Sequence, residues 1–301
     1  MKILKIICRI FKTLVTILLI LFSINMNAQS IKWQKSYPGG NLNVAHSIQQ
    51  TNNGGYIVSG YRRIGLPGNE NYLLVKVDEG GILEWEMSYG GSNSDIAYSI
   101  ANCSDGGNII VGASKSNDGD VVGNHGENDA WVLKTDSLGV IEWQKCYGGS
   151  SSDEGKSICQ TSDQGYMIAG YSYSTDGDLL NVNIRGGKEL WIIKINPDGN
   201  ILWQRCFGGT FQDEANSIRQ TIDGGYIIAG VTFSNDGDVS GNHGTESADF
   251  WVLKINSTGT LEWQQCFGGS YEDMAYSVKQ TEDSGFVIAG YGSSRDLTGH
   301  H

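Results

Sequence analysis

A chain of 301 residues with 42 Gly, 3 Pro and a formal net charge of -12 is long enough for one large all-β domain or two smaller ones. Glycine at this level without a Gly-X-Y period means many tight turns and excludes collagen. The acidity argues against binding nucleic acid or anionic lipid, whose phosphates it repels, and leaves cations or a basic partner as electrostatic matches.

Residues 1–28 stand apart. MKILKIICRIFK carries Lys2, Lys5, Arg9 and Lys12, LVTILLILF (14–22) is an uninterrupted apolar run, and SINMNAQS follows with small Ala28. Basic, then apolar, then small is the pattern of a secretory signal peptide, and cleavage is expected after Ala28. The apolar run is short for a transmembrane helix, which needs about 20 residues; an uncleaved anchor is the alternative. No Cys follows the run, so a lipoprotein cut is not expected. The mature chain, 29–301, is therefore expected in the periplasm, at the cell surface or in the medium, without an integral span. Losing four basic residues takes its formal charge from -12 to -16.

From residue 31 onward the chain repeats. Trp33, Trp85, Trp143, Trp203 and Trp263 open WQKSYPGG, WEMSYGGS, WQKCYGGS, WQRCFGGT and WQQCFGGS, 52, 58, 60 and 60 residues apart. In chain order, the first predicted strand (31–37) holds Trp33. Each unit then runs through a variant of Asp-x-Ala-x-Ser-Ile-x-Gln-Thr, as in DEANSIRQT (213–221), and a second run such as GGYIIAG (224–230). A variable loop follows, then a third run such as DFWVLKIN (249–256), then the next Trp stretch. These short runs are rich in Val, Ile, Tyr, Phe and Trp, which marks strands, and no helix-length period appears after residue 28. Asp223-Gly224-Gly225 and its relatives predict a tight hairpin between first and second strands; NPDG (196–199) and NSTG (256–259) predict one between third and fourth. The loop between second and third strands is SNDGDVVGNHG (116–126) in one unit and SNDGDVSGNHG (234–244) in another.

Four antiparallel strands repeating at this period predict one propeller blade per unit. A lone four-stranded sheet cannot bury both faces, and radial stacking solves that. The expected fold class is all-β: a β-propeller of four-stranded antiparallel blades, with four full repeats plus a partial fifth (273–280 and 285–291), truncated or open. In that geometry the DGG and NxxG turns share one end of the blades. The YGGS connections and the SNDGDV loops share the other.

The stretch WQRCFGGTFQDEANSIRQTIDGGYIIAGVT (203–232) is similar to the bacterial β-propeller repeat often called SBBP, with Trp, Gly-Gly-Ser, Asp, Ile and Gly-Tyr-x-x-x-Gly in order. It also resembles repeats of secreted propeller proteins of Bacteroidota. The resemblance spans nearly all of residues 31–301 and implies the fold. That family has no single established activity, so it implies no catalytic residue.

Few residues read as chemistry. All eight Trp sit at repeat positions, five in fourth strands and three (Trp131, Trp191, Trp251) in third strands, which reads as packing between blades. Cys146, Cys206 and Cys266 are equivalent positions on separate blades, out of disulfide reach, so buried free thiols are expected. His125, His243 and His301 fall at one position of the variable loop on different blades and cannot share a metal ion. Asp153, Asp213 and Asp273 recur with Ser157, Ser217 and Ser277, which suggests a hydrogen bond at the start of each blade. Symmetry is broken by RRIGLPGNE (62–70) and by NVNIRGGKE (181–189) with Arg185 and Lys188; a specific ligand would be sought there.

The metal candidate is calcium. Asp118 and Asp120, Asp176 and Asp178, Asp236 and Asp238 form Asp-Gly-Asp turns whose carboxylate and carbonyl oxygens suit Ca²⁺. The spacing lacks the full EF-hand set, and solvated acidic turns are the plain alternative. No other cofactor is implied. The sequence supports a secreted or cell-surface binding or scaffold module without enzymatic activity, its partner a glycan, a protein or a cell-envelope component. The alternatives are a polysaccharide-active enzyme of glycoside hydrolase type and a structural module of a longer surface protein. Hydrolysis needs two carboxylates about 5–9.5 Å apart across one bond, and acids that recur in every unit single out no such pair.

Overall fold

The structure, a computed structural model, describes residues 32–37, 42–65, 67–244 and 247–294. The expected signal peptide (1–28) and His301 lie outside the described residues. The chain divides into two compact units, Met1–Ser36 and Tyr37–His301. In the first, residues 32–36 form no regular element, so the strand expected over 31–37 is not laid into a ladder there.

The second unit is built of consecutive antiparallel sheets. The first holds β1 (Leu42–Gln50), β2 (Tyr56–Arg63), β3 (Glu70–Val77) and β4 (Leu83–Tyr89) in that order. The second holds β5 (Asp95–Asn102), β6 (Asn108–Ser114), β7 (Asp129–Thr135) and β8 (Ile141–Tyr147). The third holds β9 (Asp153–Gln160), β10 (Tyr166–Ser172), β11 (Glu189–Ile195) and β12 (Ile201–Phe207). The fourth holds β13 (Asp213–Gln220), β14 (Tyr226–Thr232), β15 (Asp249–Ile255) and β16 (Leu261–Phe267). β17 (Asp273–Gln280) and β18 (Phe286–Gly292) form a two-stranded fifth sheet. Strand order equals chain order throughout, and first strands of successive sheets pack on one another, which is the blade arrangement of a propeller.

Stacking covers both faces of the inner blades. Every residue of β6, β10 and β14 is buried, whereas β18 is mostly exposed. Between the second and third blades, Ile109, Val111 and Val132 pack against Ile158, Ile168 and Trp191; the next boundary repeats the arrangement with Met167, Ala169, Ile218 and Trp251. Trp131, Trp191 and Trp251 are almost fully buried, so the third-strand tryptophans serve the packing expected of them. Cys103, Cys146, Cys206 and Cys266 are buried free thiols and Cys159 is half-buried.

Two sequence signatures follow from backbone shape. Each first strand carries a bulge, as between Ala215 and Ser217, which drives the Glu214 carbonyl toward the second strand. A Cβ on Gly230 would lie 1.9 Å from that oxygen, so the run Tyr-x-x-x-Gly must end in glycine. At the hairpin, Gly224 has φ +82, a left-handed conformation; its counterpart in the third blade is Gln164, held at φ 66.

The two ends of the blades are distinct. At one, the nearly buried Lys134 ammonium lies 2.9 Å from Asp105 of the DGG turn and 2.6 Å from Glu142 of the fourth strand. Lys254 repeats this with Asp223 and Glu262, both at 2.9 Å. At the other end the Ser92 N–H donates to Asp118 Oδ1 at 2.8 Å, which brings the YGGS connection onto the SNDGDV loop. Among the described residues no helix is long and apolar enough to cross a membrane.

Candidate functional site

The Gly-Gly connection organises the loop end, and its chemistry comes from neighbouring carboxylates. Asp153, fully buried at the start of β9, accepts the Gly149 N–H at 2.8 Å and the Ser174 hydroxyl at 2.7 Å, and is also bonded by Ser172. Asp95 and Asp213 are held in the same way by Gly91, Ser114 and Ser116 and by Gly209, Thr232 and Ser234. This corrects the expected pairing of Asp153 with Ser157. The bulge turns Ser157 toward the following blade, where its Oγ accepts the Ile218 N–H at 3.2 Å. Ser217 does the same for Val278 at 3.3 Å. The recurring serines are staples between blades.

A second buried acid faces Asp153, Asp213 and Asp273, whereas Asp95 meets the Asn71 amide. A Cβ on Gly148 would lie 2.6 Å from Asp153 Oδ2 and 2.9 Å from Asp129 Oδ1, so two carboxylates from neighbouring blades converge on one glycine. Glu189 and Asp213 converge in the same way on Gly208, and Asp249 and Asp273 on Gly268. One oxygen each of Asp129, Glu189 and Asp249 is buried without a hydrogen-bond partner. Burial, with the Asp153 charge adding to it, pushes the Asp129 carboxyl up to about 6 against the pull of its bonds to His125. Burial likewise raises Asp95, Asp213 and Glu189. These acids are perturbed but out of reach of any substrate, since Asp95, Asp129, Asp213 and Glu189 are fully buried.

The six aspartates of the calcium reading lie just above this layer. Asp118, Asp176 and Asp236 accept the N–H groups of Ser92, Ser150 and Thr210, each at 2.8 Å. Asp120, Asp178 and Asp238 accept those of Gly90, Gly148 and Gly208 at 3.1, 3.1 and 3.3 Å. Each pair therefore clamps the Gly-Gly backbone of the preceding connection, and a Cβ on Gly149 would lie 2.4 Å from Asp176. Among the described residues no three His, Cys, Asp or Glu side chains are grouped so as to hold a metal ion. His125 and His243 sit on separate blades as expected, each with Nδ1 2.6 Å from its own acid, Asp129 or Asp249.

What departs from the repeat collects on the first strands. Lys156 Nζ lies 3.7 Å from the centre of the Tyr98 ring, 5.5 Å from that of Tyr171 and 2.5 Å from Glu154. Lys188 Nζ lies 4.0 Å from the centre of the Tyr171 ring and pairs with Glu214. His46 stacks on Tyr98 at 5.3 Å and meets Tyr61 edge-on at 5.7 Å. Burial works to raise the Glu154 carboxyl, but the Lys156 charge and hydrogen bonds from Lys156, Tyr171 and Tyr98 outweigh it and hold the group below its ordinary value. Burial, then Lys156, lowers His46, and burial pushes the Tyr98 and Tyr171 phenols far up. The result is an ionised, aromatic-lined patch occurring once in the described chain. Sequence reading singled out Lys188 but missed Tyr98, Glu154 and Lys156. The signal lay in the variable positions of Asp-x-Ala-x-Ser-Ile, which read His46, Tyr98, Lys156, Asn216 and Tyr276 in turn.

No family model matches the chain. The regulatory protein FlaEY of Caulobacter vibrioides is 25% identical over 158 residues, which is 50% of this chain but 16% of FlaEY. Among solved structures, the Synechocystis apocarotenoid oxygenase has a TM-score of 0.41 at 12% identity, covering 77% of this chain and 51% of its own. The endo-1,5-alpha-L-arabinanase of Thermotoga petrophila has a TM-score of 0.36 at 15% identity, covering 82% and 59%. The Pan2 WD40 domain of Neurospora crassa has a TM-score of 0.33 at 10% identity, covering 82% and 86%. The blade assignment rests on strand order and register, not on these likenesses.

Proposed function

We propose that this chain is an exported binding or scaffold module without enzymatic activity. It engages a glycan, a protein or a cell-envelope component at the end of the blades that carries the Gly-Gly connections. The observation behind this reading is the division of labour among ionisable residues. Those that recur are spent inside the fold, on clamps, ion pairs and buried carboxylate pairs. Among the described residues the patch of Tyr98, Glu154, Lys156, Tyr171, Lys188 and Glu214 occurs once, and it combines aromatic faces with both signs of charge. Aromatic and charged groups together suit recognition of sugars or of polypeptide.

Hydrolysis is the less suited reading. A glycosidase acid must keep its proton near neutrality, so its pKa must be raised. Glu154 is held low, and Glu214 is ion-paired with Lys188. The likeness of residues 203–232 to SBBP-type repeats of Bacteroidota and the basic-apolar-small N-terminus support export. Mass spectrometry of secreted protein should find Gln29 as the first residue, and an intact Met1 there would refute it. A glycan array probed with the full chain, run beside a reducing-sugar assay, tests the module. Binding that Tyr98→Ala and Lys188→Ala abolish, with no sugar released, is the expected result. Sugar release that depends on Glu154 would overturn it.

A further inference from the structure

An open cleft of about 440 Å³ lies between the second and third blades. Its walls include His125, Gln144, Lys145, Tyr147, Asp178 and Asn200. The same place at the following boundary is filled from within. There the Arg185 guanidinium makes a two-pronged pair with Asp238, Nη1 to Oδ2 and Nη2 to Oδ1, the latter at 3.1 Å, and Nη1 also donates to the Gly208 carbonyl at 3.2 Å.

The two boundaries correspond atom for atom around the acid. Asp178 N–H donates to the Gly148 carbonyl at 2.9 Å, as Asp238 N–H does to that of Gly208 at 2.9 Å. The Gly148 and Gly208 N–H groups return a bond to the same two carboxylates. His125 and Arg185 are matched as well. Each donates its backbone N–H to the third-strand acid, to Asp129 at 3.1 Å and to Glu189 at 2.8 Å. The glycines after them, Gly126 and Gly186, both lie against carbonyls of the next Gly-Gly connection. The side chains then part company. Arg185 reaches across to Asp238, whereas His125 turns back to Asp129. Among the described residues no cation pairs with Asp178.

We propose that the cleft between the second and third blades binds an arginine side chain of a partner polypeptide. Its guanidinium takes the position that Arg185 takes one blade further on, with the Asp178 carboxylate and the Gly148 carbonyl as acceptors. A planar fork grips a carboxylate with two parallel bonds while donating to a neighbouring carbonyl, a geometry that the point-like ammonium does not match. The chain's net charge of -12 favours approach of a basic partner. Lys145, bonded to Asn200 at 2.7 Å in the same cleft, works against a bound cation and sets the affinity low. The inference rests on the binding reading above and names the chemistry of one surface; the two fail separately, because the glycan array reads the patch of Tyr98 and Lys188 and the titration reads Asp178.

The test is a titration of the full chain with N-acetyl-arginine amide, followed by NMR at the Gly148 amide and by calorimetry. Saturable binding in the millimolar range is expected, with the uncharged citrulline analogue inert and the lysine analogue at least threefold weaker. Asp178→Asn, which keeps an acceptor for Gly148, should weaken the Gly148 response at least tenfold, and Lys145→Ala should strengthen it. Arg185→Ala should empty the following boundary and raise the stoichiometry by one, with a new response at Gly208. No response at Gly148 up to about 50 mM ligand, roughly tenfold above a Kd of about 5 mM, an equal response to citrulline, or an unchanged stoichiometry in folded Arg185→Ala would each overturn the proposal.

Discussion

Asp129→Asn should flatten the pH dependence of the boundary between the second and third blades. Asp129 is fully buried, its Oδ1 has no hydrogen-bond partner, and it meets Asp153 across Gly148. Burial, then the charge of Asp153, pushes its carboxyl from 3.8 up to about 6. Between those values the native state holds a proton that the unfolded chain has released. Stability is therefore greatest below the unfolded value and is lost as pH rises through the folded one. About two pH units at about 1.36 kcal/mol each makes the loss about 3 kcal/mol. Asp95, Asp213 and Glu189 are raised too and act in the same direction. Asp163 and Asp223, held down to about 2, act with the opposite sign but below pH 4, outside this window, whereas the lowered His46 opposes the loss inside it, so the comparison with Asp129→Asn is what isolates Asp129. The first boundary offers an internal precedent, because there the group facing Asp95 across Gly90 is the neutral amide of Asn71. Thermal melts read by tryptophan fluorescence between pH 4.5 and 7.5 should show the wild-type Tm falling by roughly 5–10 °C. Asp129→Asn should lose much of that fall. A slope untouched by the substitution would refute the assignment of this proton to Asp129.

Gly148→Ala places a methyl 2.6 Å from Asp153 and 2.9 Å from Asp129, and should cost at least about 2 kcal/mol in urea unfolding; an unchanged midpoint would show that the carboxylates are free to part. Gln164→Gly relieves a side chain from φ 66 and should stabilise by about 1 kcal/mol, read as a higher urea midpoint at equal slope. Millimolar Ca²⁺ added before a melt tests the calcium reading of the Asp-Gly-Asp turns. A rise in Tm that Asp236→Ala with Asp238→Ala abolishes would establish it, and an unchanged Tm would leave these turns as clamps on the Gly-Gly backbone.

The blades were legible in the sequence because a repeat displays its own boundaries. Trp-x-x-x-Tyr/Phe-Gly-Gly, the DGG hairpins and the alternating runs place strands such as β13, β15 and β17 within a residue of their observed limits, although the strand expected over 31–37 forms no element. The reason for the glycine pair was not legible. It lies in carboxylates such as Asp129 and Asp176, which reach Gly148 and Gly149 from other strands and loops. The first-strand bulge was hidden too, and with it the true partner of Ser157, because one extra residue reverses which face the following side chains occupy.

The same logic locates the chemistry. Matching one repeat to the next keeps what is common, and here the common residues are those that the stacking of blades consumes. His46, Tyr98, Lys156, Asn216 and Tyr276 share one position of the repeat and no chemical type, so matching discards them as variation. Packing of successive first strands brings several of these side chains together, and a patch with a cation between two aromatic rings results. Arg185 and His125 differ for the same reason and with the opposite effect. One fills its boundary with an ion pair, and the other leaves an acid facing solvent in a cleft. In a symmetric scaffold, individuality at equivalent places is the signal that separates a surface for binding from the parts that hold the scaffold together.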